Sequence, residues 1–267
     1  MELHDFWFFL ICVLWSGYFV LEGFDFGVGM LIPVLGRSEE DRGTLLGTIG
    51  PVWDGNEVWL VTAAGATFAA FPQWYATMFS GFYIALLLVL VLLIVRVVSF
   101  EWREKVDSDR WQGVWTGANV VASYGIPLLW GIALTSLLAG VPVGEDKEFT
   151  GNVFDLFSWY SVLGGVAFMA LFAWHGSVFI TLRTAGAMKE RAHRLSLRLA
   201  PFSVLLTVAF LAATLWTGVD ANDKGLVGGL VIIPLAVAAL LTAWFMAGRR
   251  REGVAFASTC VAIVLAV

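Results

Sequence analysis

The sequence predicts an all-α, polytopic integral membrane protein. Apolar runs long enough to span a bilayer recur along the chain, charged residues are scarce, and the basic ones collect in alternate loops. Hydrophobic residues make up 59% of the 267, charged residues 14%, and mean hydropathy is +0.83. A soluble domain carries roughly 25% charged residues and coats its surface with them, whereas a chain this apolar is solvated by lipid. Thirteen Trp and twenty-one Phe agree with this, because aromatic rings collect at the membrane–water boundary. The formal net charge of −5 says little about partners, since the charges are segregated. No basic patch interleaved with aromatics points to nucleic acid.

A helix needs about 20 apolar residues to cross the hydrocarbon core. Such runs lie at roughly 6–34, 51–71, 77–98, 115–139, 158–182, 200–218 and 226–247, giving seven full spans. An eighth opens near Val254 and is still apolar at Val267. The reading is therefore one transmembrane helical domain over 1–267, incomplete at its C-terminus. The first residues, Met1 to Asp5, lack the positive stretch of a cleavable signal peptide, so the first span is expected to be retained. Cys12 and Cys260 lie inside apolar runs without a CxxC pair or disulfide framework, and are expected to be buried small residues.

Basic residues orient these spans. Arg37 and Arg42 follow span 1; Arg96, Arg103, Lys105 and Arg110 follow span 3; Arg183, Lys189, Arg191, Arg194 and Arg198 follow span 5; Arg249, Arg250 and Arg251 follow span 7. Only Lys147 and Lys224 fall on the other side. Positive charge stays cytoplasmic, which predicts an external N-terminus. The loops are short, so any chemistry belongs within the membrane or at an interface with another chain.

Three groups of polar residues interrupt the apolar runs, and a carboxylate at helix centre costs about 2.5–3.5 kcal/mol on insertion scales. The first is Glu22-Gly23-Phe24-Asp25-Phe26-Gly27-Val28-Gly29 in span 1. Asp25 lies about 13 Å inside the cytoplasmic end at 1.5 Å per residue, and the glycines permit close approach of a neighbouring helix. The second is Trp53-Asp54-Gly55-Asn56-Glu57-Val58-Trp59 at the start of span 2. Asp54 suits a helix N-terminus, but Asn56 and Glu57 carry the polar run a further turn inward. Spans 1 and 2 should pack antiparallel, placing Asp25 and the Asp54–Glu57 group at similar depth. Carboxylates in series can relay protons; the same arrangement can also lock two helices together. The third is His175, in mid-span 5. A membrane histidine can ligate haem, but His4 lies at the outer boundary and His193 in a basic loop, so no second ligand is at hand. His175 is expected to serve a helix or subunit contact, and His4 and His193 to be solvated.

Gly23 to Met30 with Trp53-Asp54-Gly55-Asn56-Glu57-Val58-Trp59 resembles subunit II of cytochrome bd-type quinol oxidases. Phe68-Ala69-Ala70-Phe71-Pro72, Phe79 to Tyr83, Phe100-Glu101-Trp102-Arg103, Thr150-Gly151-Asn152, His175-Gly176 and Arg183-Thr184 extend the resemblance over most of the first 185 residues. It implies two four-helix bundles plus a peripheral helix in the complete chain. It implies a heterodimer with a subunit I that ligates two b-type haems and one d-type haem, joined in some members by small accessory subunits, in the bacterial cytoplasmic (inner) membrane. That complex oxidises quinol and reduces oxygen to water with protons drawn from the cytoplasm. Subunit II ligates no haem, supports subunit I, contributes to a proton path and in some members holds a structural quinone. By this resemblance Asp54 and Asp25 belong to the proton path, with Glu57 and Asn56 in support and Trp53 as a quinone or packing contact. Two other readings compete. One is a proton-coupled secondary transporter, which Pro127 and Pro234 do not favour because no second acidic cluster mirrors the first. The other is a purely scaffolding membrane subunit.

Overall fold

A computed structural model describes residues 2–146, 149–219 and 223–267. Most of these residues are helical. The first helix, α1 (Leu3–Leu35), opens with a capping box between Glu2 and Asp5. A short helix, α2 (Glu39–Ile49), follows; Ser38 caps it by accepting the Asp41 N–H, and Glu39, Glu40 and Asp41 fill its first turn. That is the acidic start a helix dipole favours. Next come α3 (Trp53–Ala70) and α4 (Pro72–Gly81). Pro72 sets their boundary, because proline disfavours helical backbone in the residue before it and suits the first helical turn after it. Then α5 (Tyr83–Arg103), α6 (Asp109–Ala139) and, after a 3-10 turn at Val153–Leu156, α7 (Trp159–Arg183) and α8 (Gly186–Val219). The last two are α9 (Asp223–Gly248) and α10 (Glu252–Ala266).

Several sequence expectations need correction. Six helices among the described residues are long and apolar enough to cross a membrane: α1, α5, α6, α7, α8 and α9. The expected second span is a helix, α3, but its first turns carry Asp54, Asn56 and Glu57 and it is not one of the six. Residues 39–49, read as loop, form α2, and α8 begins about fourteen residues before the expected span. Arg96, counted as a loop charge, is seven residues before the end of α5 and fully buried. His193 is buried in α8 rather than solvated in a loop. Cys12 is exposed on the N-terminal half of α1, and Cys260 is half-buried. Lys147, one of the two cations assigned to the opposite face, lies outside the described residues, as does the side chain of Lys224.

Helix α7 packs on α8, α8 on α9, α9 on α10 and α10 back on α7, so these four close a ring. Helix α1 packs on α3, α6 and α7, and joins that ring to α3, α5 and α6. Residues Glu22 to Ile32 of α1 are consequently buried on every side, whereas its first turns are largely exposed. The core on α1 is aromatic: Tyr18, Phe19, Trp130, Phe168 and Phe172 pack together, and Trp130 donates its indole N–H to the Tyr18 hydroxyl at 3.2 Å. At Gly27 and Gly176 the backbones of α1 and α7 touch; a Cβ on Gly27 would sit 2.1 Å from the Phe172 carbonyl oxygen. Such close crossing by small residues is how membrane helices gain packing contact.

The loops after α1, α5, α7 and α9 meet at one end of the molecule. Arg103 of α5 pairs with Glu39 of α2, and Arg191 of α8 with Asp41 of α2. Arg250, after α9, grips Glu190 of α8 at 2.9 and 3.0 Å, and Lys189 meets Glu252 of α10 at 3.2 Å. The hydrogen bond from Arg191 holds the Asp41 carboxyl below the usual carboxylate range.

Candidate functional site

The enclosed half of α1 is where the sequence places two carboxylates that lipid would not tolerate. Glu22 and Asp25 are three residues apart, so they share one face of the helix, and both are completely buried. That face looks toward α3 and α5. From α5, Arg96 enters between the carboxylates, also completely buried. One of its terminal nitrogens, Nη1, donates to Glu22 Oε2 at 3.0 Å and to Glu57 Oε1 of α3 at 3.1 Å. The other, Nη2, lies 3.9 Å from Asp25 Oδ2, an ion pair too long for a hydrogen bond. Asn56 of α3 instead supplies that oxygen with an amide N–H at 2.8 Å.

Three carboxylates therefore surround one guanidinium. Arginine suits the place because its planar fork can serve several acceptors, it stays charged, and its faces stack on aromatic rings. Phe26 of α1 and Phe100 of α5 take those faces, with centroids 4.8 and 5.3 Å from Cζ. Trp53 packs on Phe100, ring centroids 5.4 Å apart, and so buttresses the cluster. Four buried polar atoms retain unused hydrogen-bonding capacity: Glu22 Oε1, Asp25 Oδ1, and Arg96 Nε and Nη2.

The cluster also continues along α5 and α6. Ser99 donates to the Arg96 carbonyl at 2.5 Å, Asn119 donates to the Ser99 hydroxyl at 2.9 Å, and Arg103 Nε donates to Thr116 at 3.0 Å. With the Arg103–Glu39 pair, this polar seam reaches from Arg96 to the end of the molecule where the basic loops meet.

Of the residues singled out in the sequence, Asp25, Asn56 and Glu57 come together here. Asp54 does not: it is exposed in the first turn of α3, three residues before Glu57. His175 lies elsewhere, at the junction of α1, α7 and α10. It is completely buried, its Nδ1 lies 2.7 Å from the Thr259 hydroxyl, its Nε2 donates to the Val20 carbonyl at 3.1 Å, and its ring stacks on Phe256. Both ring nitrogens are thus engaged by the protein. Sequence reasoning missed Arg96 and gave Glu22 no role.

The model of the cytochrome bd terminal oxidase subunit II family matches residues 3–267. The chain belongs to that family. The cytochrome bd ubiquinol oxidase subunit 2 of Bacillus subtilis is 42% identical over 271 residues, covering all of this chain and 78% of its own length. The cytochrome bd-I ubiquinol oxidase subunit 2 of Escherichia coli K12 is 39% identical over 218 residues. That alignment covers 80% of this chain and 57% of the Escherichia coli protein. A chain in the structure of bd oxidase from Geobacillus thermodenitrificans shares the fold, with a TM-score of 0.83 at 19% identity, covering all of this chain and 82% of that one.

For a member of the subunit II family, the question of haem falls on its donor set. His175 offers neither ring nitrogen to a metal, His4 lies beside Glu2 and Asp5, and no group of three His, Cys, Asp or Glu among the described residues could hold a metal ion. Neither His175 nor His4 therefore presents an unengaged ring nitrogen as an axial haem ligand.

Proposed function

We propose that this chain is the non-haem-ligating subunit II of a cytochrome bd-type terminal quinol oxidase. It supports a haem-bearing subunit I and helps deliver cytoplasmic protons for the reduction of oxygen to water. The observation that carries the proton role is the buried set Glu22, Asp25 and Glu57 around Arg96. In it two carboxylate oxygens are free to accept and pass on hydrogen bonds. Glu57 is the partly exposed member of the set, at 23%, and Asp54 lies one turn nearer the end of α3. We assign Asp54 and Glu57 to the outer part of the path and Asp25 with Glu22 to the inner part. Asn56 orients Asp25, Arg96 holds the inner carboxylates in register, and Trp53 packs behind them.

The two b-type haems and the d-type haem belong to subunit I in this reading, where they supply electron transfer and oxygen activation. The engaged ring of His175 supports that division of labour. The end of the molecule that gathers the loops after α1, α5, α7 and α9 faces the cytoplasm, in keeping with the excess of Lys and Arg there. The scaffolding reading has one observation in its favour, because Arg96 also ties α1, α3 and α5 together.

The oxidase assignment is tested by purifying the tagged chain from its native membrane in mild detergent. A reduced-minus-oxidised spectrum with b- and d-haem bands, a larger co-purifying chain and quinol oxidase activity are expected. An intact, colourless preparation without a partner would overturn the assignment.

A further inference from the structure

A second polar site lies at the membrane-surface end of α1 and α8. Arg191, Arg194 and Arg198 are spaced three and four residues apart, so they share one face of α8. With Arg37, just after α1, they line a cavity of about 390 Å³ whose remaining wall includes Val34 and Leu195. Acidic side chains nearby are already committed. Asp41 pairs with Arg191, and the Glu190 carboxylate, one turn before Arg194, is held on both oxygens by Arg250. Among the described residues no carboxylate lies within ion-pairing distance of Arg37, Arg194 or Arg198, and the Nε of Arg191 is buried without a partner.

We infer that this cavity binds the phosphate of an anionic phospholipid headgroup. Guanidinium groups match phosphate with paired N–H donors. Basic pockets between helices at a membrane surface take anionic headgroups. A soluble anion would also meet the arginines. The lipid is favoured because Val34, Leu35 and Leu195 complete the arginine-lined wall and the cavity stands where the apolar part of α8 begins, with Leu199, Ala200 and Pro201 directly after Arg198. An acyl chain can then run along the exposed surface of α1 at Val34.

The experiment compares the purified complex with its Arg194→Gln/Arg198→Gln variant and a control, Arg249→Gln/Arg251→Gln, whose charges lie at the same end but outside the cavity. Each is placed in nanodiscs of phosphatidylcholine with a minority of phosphatidylglycerol, and retained phosphatidylglycerol is counted by native mass spectrometry. Loss of two arginines should weaken retention by about 30-fold, with the control unchanged. Equal retention in all three, or equal loss in the control, would overturn the site. Displacement of the lipid by millimolar inorganic phosphate alone would assign the cavity to free phosphate and overturn the lipid reading.

Discussion

Replacing Arg96 by Gln should cost the complex more stability than any other single polar substitution in this chain. The guanidinium is the buried cation for Glu22, Asp25 and Glu57 together. Removing one partner of a buried ion pair costs about 3–5 kcal/mol, because the other charge is left uncompensated. Here three carboxylates are left. A typical protein is stable by only about 5–15 kcal/mol, so the expected result is a sharp fall in the amount of intact complex in the membrane and in its melting temperature. Arg96→Lys should fall between Arg96→Gln and the parent, since an ammonium keeps the charge but loses the planar guanidinium that stacks on Phe26 and Phe100. Adding Glu22→Gln to Arg96→Gln should restore part of the loss. A variant Arg96→Gln that assembles and melts like the parent would show that the cluster is not held by this cation.

The second large effect belongs to Gly27. A Cβ there would lie 2.1 Å from the Phe172 carbonyl oxygen and 2.8 Å from the Gly176 Cα, so the obstruction is backbone and cannot rotate away. Gly27→Ala should cost about 1–3 kcal/mol through overpacking, and Gly27→Leu should prevent α1 and α7 from closing. The separation of these helices also sets the reach of His175 to Val20, so disturbance should spread to the α1–α7–α10 junction. Gly47 provides the contrast, because a Cβ added there would meet nothing within 4 Å. Gly47→Ala should be neutral or slightly stabilising, because alanine is the better helix former. The check is the melting temperature of the purified complex for all three.

Much of this was legible in the sequence because lipid penalises polarity so heavily. Asp25, Asn56 and Glu57 stood out from apolar surroundings and do meet, and the short loop between spans 1 and 2 already implied the antiparallel packing that brings them together. Arg96 was harder to read. It sits near the end of a long apolar run and is followed by Arg103, Lys105 and Arg110, so it merges with the basic residues expected at a cytoplasmic boundary. The signal lay on both its sides, in Ile94-Val95 and Val97-Val98, which carry the apolar run past the charge. Two buried carboxylates, with a third partly buried beside them, also demanded a cation. Asp54 shows the opposite difficulty, since nothing in its neighbours told it from Glu57, yet it stands one turn further out, in the exposed first turn of α3. Helix α2 was hidden by its polarity, although Ser38 before three acidic residues is a helix start in its own right.

Whether protons pass through the Asp25 cluster is tested most directly by following proton uptake and haem reoxidation together, as the fully reduced complex reacts with oxygen. The parent complex would be compared with Asp25→Asn and Glu57→Gln. The expected result is uptake slowed on the order of 100-fold, with haem content and spectrum unchanged. Uptake at the parent rate in both variants would contradict a relay and leave the carboxylates as a lock between helices.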